Sequence, residues 1–532
     1  MTENTPLTFG VEMEFYVAWR REGRPPPGAP FGYESRPGKP VVIHSDKEDP
    51  IDDIIDVMKR QIVEFIEGPS RPILTRPPKE PETKPDEEPK RTILDKLPRP
   101  AGDLIRGLAL KIRGSSHKEE KVPDKVPDEP KDDDKSEVFR EILLKREEEA
   151  WKALEDYREW NVDEDGSLKA LPDALASYAS SGYGWCGVEV ISPPLMATHE
   201  GFDEVRRVCE FIQNTYLTYD APQAGLHIHV GQGVKWPAGS SFRRVAGLLY
   251  AADPVLAQLH PPRRWNSHYC QSNRLYSLLS FRDRTGPKES LYELTNLYTP
   301  SGSSNDQSRE SPSSKSISTG SRESTPSESS STESSEVPSS ESSSVKIRNS
   351  ARDDCFPPRP NKICYSLDHS KVIVSRSSHL KFHVEALTYQ PKPMVEALID
   401  LLERKATATI ARLMQVHPER AAYNFDSFID GGTKRTVEFR QPAGTTDPVQ
   451  VICQAKIAVR LYQFGLDSSD EELIKILLDC HDAEADPRYY DVYDLLVDLG
   501  LKPEARVIQA ALAGTVDDTI RNQYWSSRGY TT

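Results

Sequence analysis

Thr436-Val437-Glu438-Phe439-Arg440-Gln441-Pro442 alternates polar and apolar side chains, and two earlier stretches share its design. They are Phe9-Gly10-Val11-Glu12-Met13-Glu14-Phe15 and Ala224-Gly225-Leu226-His227-Ile228-His229-Val230. In each, a strand-like alternation carries two ionisable residues two positions apart, with apolar residues between and around them. Side chains at i and i+2 of a strand share one face, so Glu12 with Glu14, His227 with His229, and Glu438 with Arg440 each point one way. The three pairs are expected to line one polar concavity. The opposite faces, through Val11, Met13, Phe15, Leu226, Ile228, Val230, Val437 and Phe439, are built for a core.

Outward from these strands, the chain reads as alternating folded and unfolded stretches. Its 532 residues carry a formal net charge of −15 and only 36% hydrophobic residues, a composition too polar for one uniformly packed globule. Residues 20–40 are rich in Arg, Gly and Pro and read as a loop, followed by a short strand at 41–44. Residues 52–67 place Ile54, Ile55, Met58, Ile62, Val63 and Ile66 at helical spacing. Residues 77–90 and 118–135 are dominated by Pro, Lys, Glu and Asp and cannot bury enough apolar surface to offset the entropy of ordering; a small helix is expected between 94 and 112. A long helix is expected from 136 to 160. A glycine-rich approach at 182–187 then enters a short strand, Val188-Glu189-Val190-Ile191, that Pro193 stops. Helices are expected at 202–219 and at 242–260, the latter interrupted or turned at Pro254. Residues 301–344 are mostly Ser, Thr, Glu and Pro, a low-complexity tract open to phosphorylation. Strands are expected at 371–374 and 380–387, a helix at 395–415, and a helix capped by Asp447 and opened by Pro448.

These elements make an α+β fold, a mostly antiparallel sheet with flanking helices, interrupted by disordered insertions. The domain reading is a catalytic domain in three parts, 1–68, 136–299 and 351–465. A charged insertion occupies 69–135, a Ser/Thr-rich insertion 300–350, and a helical segment 466–532. The acidic balance argues against nucleic-acid or anionic-membrane partners. No run of 18 apolar residues and no signal-like start occurs, so a cytoplasmic protein is expected. Seven cysteines without a CxxC pair fit a reducing compartment.

The charged pairs decide the chemistry. Glu12 and Glu14 stand about 6.6 Å apart at the usual rise per residue, and at an effective dielectric near 20 their repulsion is about 2.5 kcal/mol. Glu189 and Glu438, converging on them, would make this worse, and a divalent cation such as Mg²⁺ or Mn²⁺ would relieve it. Arg440 would supply a forked donor for phosphate or carboxylate. Taken singly, E-x-E is a solvated strand face, E-x-R an ion pair, and H-x-H also recurs in zinc sites. Two rival readings follow: a zinc-dependent hydrolase or transferase using His227 and His229, and a non-catalytic relic acting as a binding protein.

FGVEMEF, GLHIHVG and TVEFRQP resemble the active-site strands of the carboxylate-amine ligases, the glutamine synthetase and glutamate-cysteine ligase type. The closer resemblance, which adds GVEVISPPL and RRWNSHYC, is to the amidoligase family of fungi and bacteria. It implies a glutamine-synthetase-like catalytic domain with a curved sheet and an ATP-dependent, ADP-forming ligation through an acyl phosphate. The substrates would be a small-molecule carboxylate and an amine: an amino acid, a peptide or a related compound. By motif position, Glu12, His227 and Glu438 would hold one metal and Glu14 with Glu189 a second. Glu438, Glu189 and Arg440 would be catalytic, and Arg440 would stabilise the transferring phosphoryl group. His229 and Arg264 would face the nucleotide, with Arg263 and Asn266 as further substrate contacts. Two departures stand out: glutamine synthetases offer a second glutamate where only Glu189 is found, and their separate ring-forming amino-terminal domain is not expected. A kinase or protein partner is expected for the Ser-rich tract.

Overall fold

The computed structural model describes residues 7–21, 43–45, 50–66, 145, 147–152, 154, 157–168, 175, 183–265, 267, 269–280, 391–416, 420–429, 434–485 and 489–530. The strands expected at 371–374 and 380–387, the helix at 94–112, both insertions and Asn266 lie outside them, as does most of the helix expected at 136–160.

One long strand, β1 (Thr8–Arg21), is the axis of a nine-stranded sheet. Eight shorter strands complete it: β2 (Ile43–Ser45), β3 (Asn161–Glu164), β4 (Tyr183–Ile191), β5 (Leu195–Met196), β6 (Thr218–Tyr219), β7 (Leu226–Gly231), β8 (Tyr423–Asn424) and β9 (Thr436–Phe439). The main path runs β3-β4-β1-β7-β9-β8, while β2, β5 and β6 pair with other parts of β1. Only β2 pairs in parallel among the described ladders; the others are antiparallel. The mixed helix and antiparallel sheet is the expected α+β class.

The alternation read from the sequence sets which face is buried. Val11, Met13, Phe15, Val188, Val190, Leu226, Ile228, Val230, Val437 and Phe439 are all buried in one hydrophobic cluster. Pro193 ends β4 as expected, and the ladder is patched there by a side chain: Ser192 Oγ accepts from the backbone N–H of Val11 at 2.8 Å. β4 itself begins earlier than expected, because the glycine-rich approach is strand. Gly184 lies under the indole of Trp19, where a Cβ would come within 2.2 Å of the ring.

Helices cover the apolar face. They are α1 (Ile51–Ile66), α2 (His199–Thr215), α3 (Gly239–Leu256), α4 (Pro262–Trp265), α5 (Asn273–Tyr276), α6 (Met394–Leu402), α7 (Thr407–Met414), α8 (Pro448–Asp467), α9 (Asp470–Ala485), α10 (Val492–Asp498), α11 (Lys502–Leu512) and α12 (Asp518–Ser527). α3 and α8 pack on each other and are buried almost all round, as helices apolar on every side must be. Asp447 caps α8 as expected, accepting from the N–H groups of Val449 and Gln450. Pro254 does not stop α3; the chain tightens into a 3-10 turn at Ala257–Leu259 instead. The helix expected at 395–415 is two helices, α6 and α7. The buried guanidinium of Arg243 donates to the Leu402 carbonyl at 2.7 Å, satisfying the end of α6 and allowing the chain to turn. β3 has one buried residue, Val162, and so carried no alternation to read. No helix among the described residues is long and apolar enough to cross a membrane. Of the five described cysteines, all but Cys186 are buried.

Candidate active site

Register brings the three motif strands and β4 to one place. Glu14 pairs with Glu189 across β1 and β4, Glu12 with His227 across β1 and β7, and His229 with Glu438 across β7 and β9. Since all six share the polar face, their side chains converge. His227 stands at the centre. Its Nδ1 lies 3.4 Å from Glu12 Oε2, 3.7 Å from Glu438 Oε1 and 3.8 Å from Glu189 Oε1, and its Nε2 is 3.2 Å from Glu14 Oε1. Two groups of three have donor atoms within 4.8 Å of one another: Glu12 with His227 and Glu438, and Glu14 with His227 and Glu189. Neither group contains His229. That histidine places Nε2 3.0 Å from Glu12 Oε1 and Nδ1 3.1 Å from Thr436 Oγ1.

The site's electrostatics follow from burial and crowding. Burial works to raise the Glu12 pKa, but His229, His227 and Lys434 outweigh it and hold the carboxyl well below its ordinary value. Glu438 is likewise held low against burial by His229, Arg440 and His227. Glu14 is raised, chiefly by burial. Glu189 is pushed up to about 9, first by burial and then by the charges of Glu12 and Glu14. His229 is raised: burial opposes its charge, and the Glu12 and Glu438 carboxylates overcome that.

Arg440 sits just beyond β9. Its Nη1 donates to Glu438 Oε1, the ion pair that E-x-R forms by itself, and its Nε donates to the Tyr269 carbonyl at 3.0 Å. Arg264, expected at the nucleotide, has another occupation. It is buried, and its guanidinium donates to the carbonyls of Arg440 at 2.6 Å, Gln441 at 3.1 Å and Gln223 at 3.4 Å, clamping the chain after β9 to the loop before β7. Arg263 donates to the Pro222 carbonyl at 3.1 Å. Gly444 completes the support: a Cβ there would lie 2.6 Å from Ala224 Cβ and 2.9 Å from the Glu14 carbonyl oxygen.

Two members were missed. Lys434 places Nζ 3.4 Å from Glu12 Oε1 and 5.2 Å from the centre of the Tyr157 ring. The signal was present, because Lys434, Thr436, Glu438 and Arg440 continue one period-two series. Asn424, opposite Glu438 on the two-residue β8, donates Nδ2 to Glu438 Oε2 at 3.0 Å; so short a strand has no periodicity to reveal it.

The donor set can be compared with known chains. Residues 110–316 match the family model described as "Putative amidoligase enzyme". The match agrees with the resemblance carried by the motifs. It contains Glu189, His227, His229 and Arg264, whereas Glu12, Glu14, Glu438 and Arg440 lie outside it and join the site through the sheet register. No curated protein and no solved structure gives a significant match.

The residues present fit a hard divalent cation. The Nδ1 atom of His227 is buried and has no hydrogen-bond partner, although three carboxylates surround it. Donors sharing an octahedral Mg²⁺ at about 2.1 Å stand about 3 Å apart when adjacent and about 4.2 Å apart when opposite. The 3.4 to 3.8 Å separations around Nδ1 lie within about 1 Å of the adjacent value, so small side-chain rotations would bring these donors to one ion.

Proposed function

We propose that the protein is an ADP-forming carboxylate-amine ligase using ATP and Mg²⁺ or Mn²⁺, and that its sheet is the catalytic sheet of a glutamine-synthetase-like fold. In that reaction a carboxylate oxygen of one substrate takes the γ-phosphoryl group, with the bond to the β-phosphate oxygen breaking to release ADP. The amine nitrogen then attacks the acyl carbon, phosphate leaves with the carbon-oxygen electron pair, and the amine proton passes to solvent. The observation that supports this reading most is the buried, unbonded Nδ1 of His227 facing the carboxylates of Glu12, Glu189 and Glu438.

Glu12, His227 and Glu438 would hold one cation, and Glu14 with Glu189 a second. A bound divalent cation supplies charge neutralisation for phosphate oxygens. Glu438 is already aimed for this, one oxygen paired with Arg440 and the other with Asn424. Arg440, oriented by the Tyr269 carbonyl, would meet charge developing on the transferred group. His229 would steer Glu12 through its Nε2, with its other nitrogen fixed on Thr436. The zinc reading has less support, because His229 joins neither group of converging donors.

Calorimetric titration with Mg²⁺ and ADP, comparing the native chain with Glu438→Ala, tests the reading. Native binding and at least about ten-fold weaker binding by the variant are expected. Equal binding by both, or stoichiometric zinc kept through dialysis without nucleotide binding, would overturn it. ADP release over a panel of acid and amine pairs then identifies the substrates.

A further inference from the structure

The acyl substrate of this ligase has its own recognisable place, an inference that rests on the ligase reading. A pocket of about 70 Å³ opens beside Glu12. Much of its lining is apolar, from Phe9, Val11, Leu154, Ile191, Pro194 and Val234. Three of the lining hydroxyls are already engaged: Ser192 Oγ accepts from Val11 N–H and donates to the Pro193 carbonyl, Thr8 Oγ1 accepts from Gly233 N–H, and Thr436 Oγ1 stands 3.1 Å from His229 Nδ1, while Tyr157 adds a phenol to the lining. Arg435 also lines the pocket, yet its guanidinium donates to the Val234 carbonyl and lies over the Trp236 ring. An occupant therefore meets apolar surface through most of the cavity.

Charge is confined to one part. Lys434 and His229 line the pocket with Glu12, and both are directed at the same oxygen of Glu12, at 3.4 and 3.0 Å. The Nε2 atom of His229 is buried, with the Glu12 carboxylate as the group it faces. When Glu12 gives its Oε2 side to a cation, as the ligase reading has it, its negative charge is shared with the ion, and Lys434 and His229 are less fully balanced by it. A substrate carboxylate entering the pocket beside them is the anion that restores the balance. The lining narrows the class further. A purine would leave much of the hydrogen-bonding edge of its ring without partners on the apolar lining.

We infer that this pocket takes the acyl substrate, a monocarboxylic acid with a compact apolar body, its carboxylate against Lys434 and His229. The test is calorimetry on the full chain with Mg²⁺ and ADP present, using benzoate, 3-methylbutanoate, benzamide and L-glutamate as probes. One of the two apolar acids should bind, with benzamide and glutamate at least about ten-fold weaker. Val234→Phe and, separately, Leu154→Trp fill the pocket; each should weaken the acid by at least about ten-fold and leave Mg²⁺-ADP binding unchanged. Thermal melts confirm that the variants fold, and the native probe series decides the matter if they do not. Glutamate or benzamide binding as tightly as the acids would overturn the inference, as would a folded Val234→Phe protein that loses ADP. Native Mg²⁺-ADP binding without binding of either acid overturns it alone; absence of Mg²⁺-ADP binding removes the ligase reading with it.

Discussion

Replacing Glu189 with Gln should raise the stability of the cation-free protein and abolish its response to divalent cations. Burial, with the charges of Glu12 and Glu14, lifts the Glu189 carboxyl from 4.5 to about 9. Because the folded value lies above the unfolded one, the contribution of this group to stability is complete below about pH 4.5 and is lost as pH rises towards 9. At pH 7 the unfolded chain has released the proton and the folded chain still holds it. That interval of about 2.5 pH units corresponds to roughly 3 kcal/mol at 1.36 kcal/mol per unit. The side chain retains 22% exposure, so solvent screening reduces the figure to about 2 kcal/mol. Gln keeps the shape and ionises in neither state, so Glu189→Gln should be about 2 kcal/mol more stable at pH 7, on the order of 4 °C in melting temperature. The gain should vanish near pH 4.5. The native protein, by contrast, should gain about 2.7 kcal/mol from Mg²⁺ at a hundred times its dissociation constant, and the variant should gain little. Thermal unfolding with and without Mg²⁺ at several pH values measures both effects. A variant that is less stable at pH 7, or that keeps the full Mg²⁺ stabilisation, would refute the account of Glu189 as a crowded cation ligand.

Three further outcomes follow from the same geometry. Cation binding should tighten as pH rises from 7 towards 9 and release about one proton from Glu189, read by calorimetry in buffers of different ionisation enthalpy. Arg264→Met removes donors from three carbonyls and should cost about 3 to 5 kcal/mol in urea denaturation, whereas a loss near zero would show that the clamp is not structural. Gly444→Val should displace the loop under Glu14, costing about 1 to 3 kcal/mol and weakening Mg²⁺ stabilisation more than it weakens the fold.

What was legible in the sequence was periodicity. Glu12 with Glu14, His227 with His229, and Glu438 with Arg440 share faces because strands repeat every two residues, and their apolar neighbours went to the core for the same reason. The same rule reaches Lys434, but Gly431-Gly432-Thr433 before it reads as a loop and hid the start of the series. Backbone acceptors leave no trace in sequence. An arginine such as Arg264 looks like a ligand group until the carbonyls of Gln223, Arg440 and Gln441 are in place around it. Asn424 and Val162 belong to strands with too few alternating residues to show a pattern.

The register of β1 joins stability to chemistry. Glu12 faces His227 on one neighbour and Glu14 faces Glu189 on the other, so both donor groups depend on one strand keeping both ladders in step. A slip of one residue would turn Glu12 and Glu14 into the core and Val11 and Met13 out of it. The buried set of Val11, Met13, Phe15, Val188, Val190, Leu226 and Ile228 forbids this, since each apolar side chain returned to water costs about 1.5 to 3 kcal/mol. A total of that size exceeds the few kcal/mol of repulsion among the carboxylates. The apolar face therefore holds like charges together on the polar face, and a site whose groups repel one another can exist before any cation arrives.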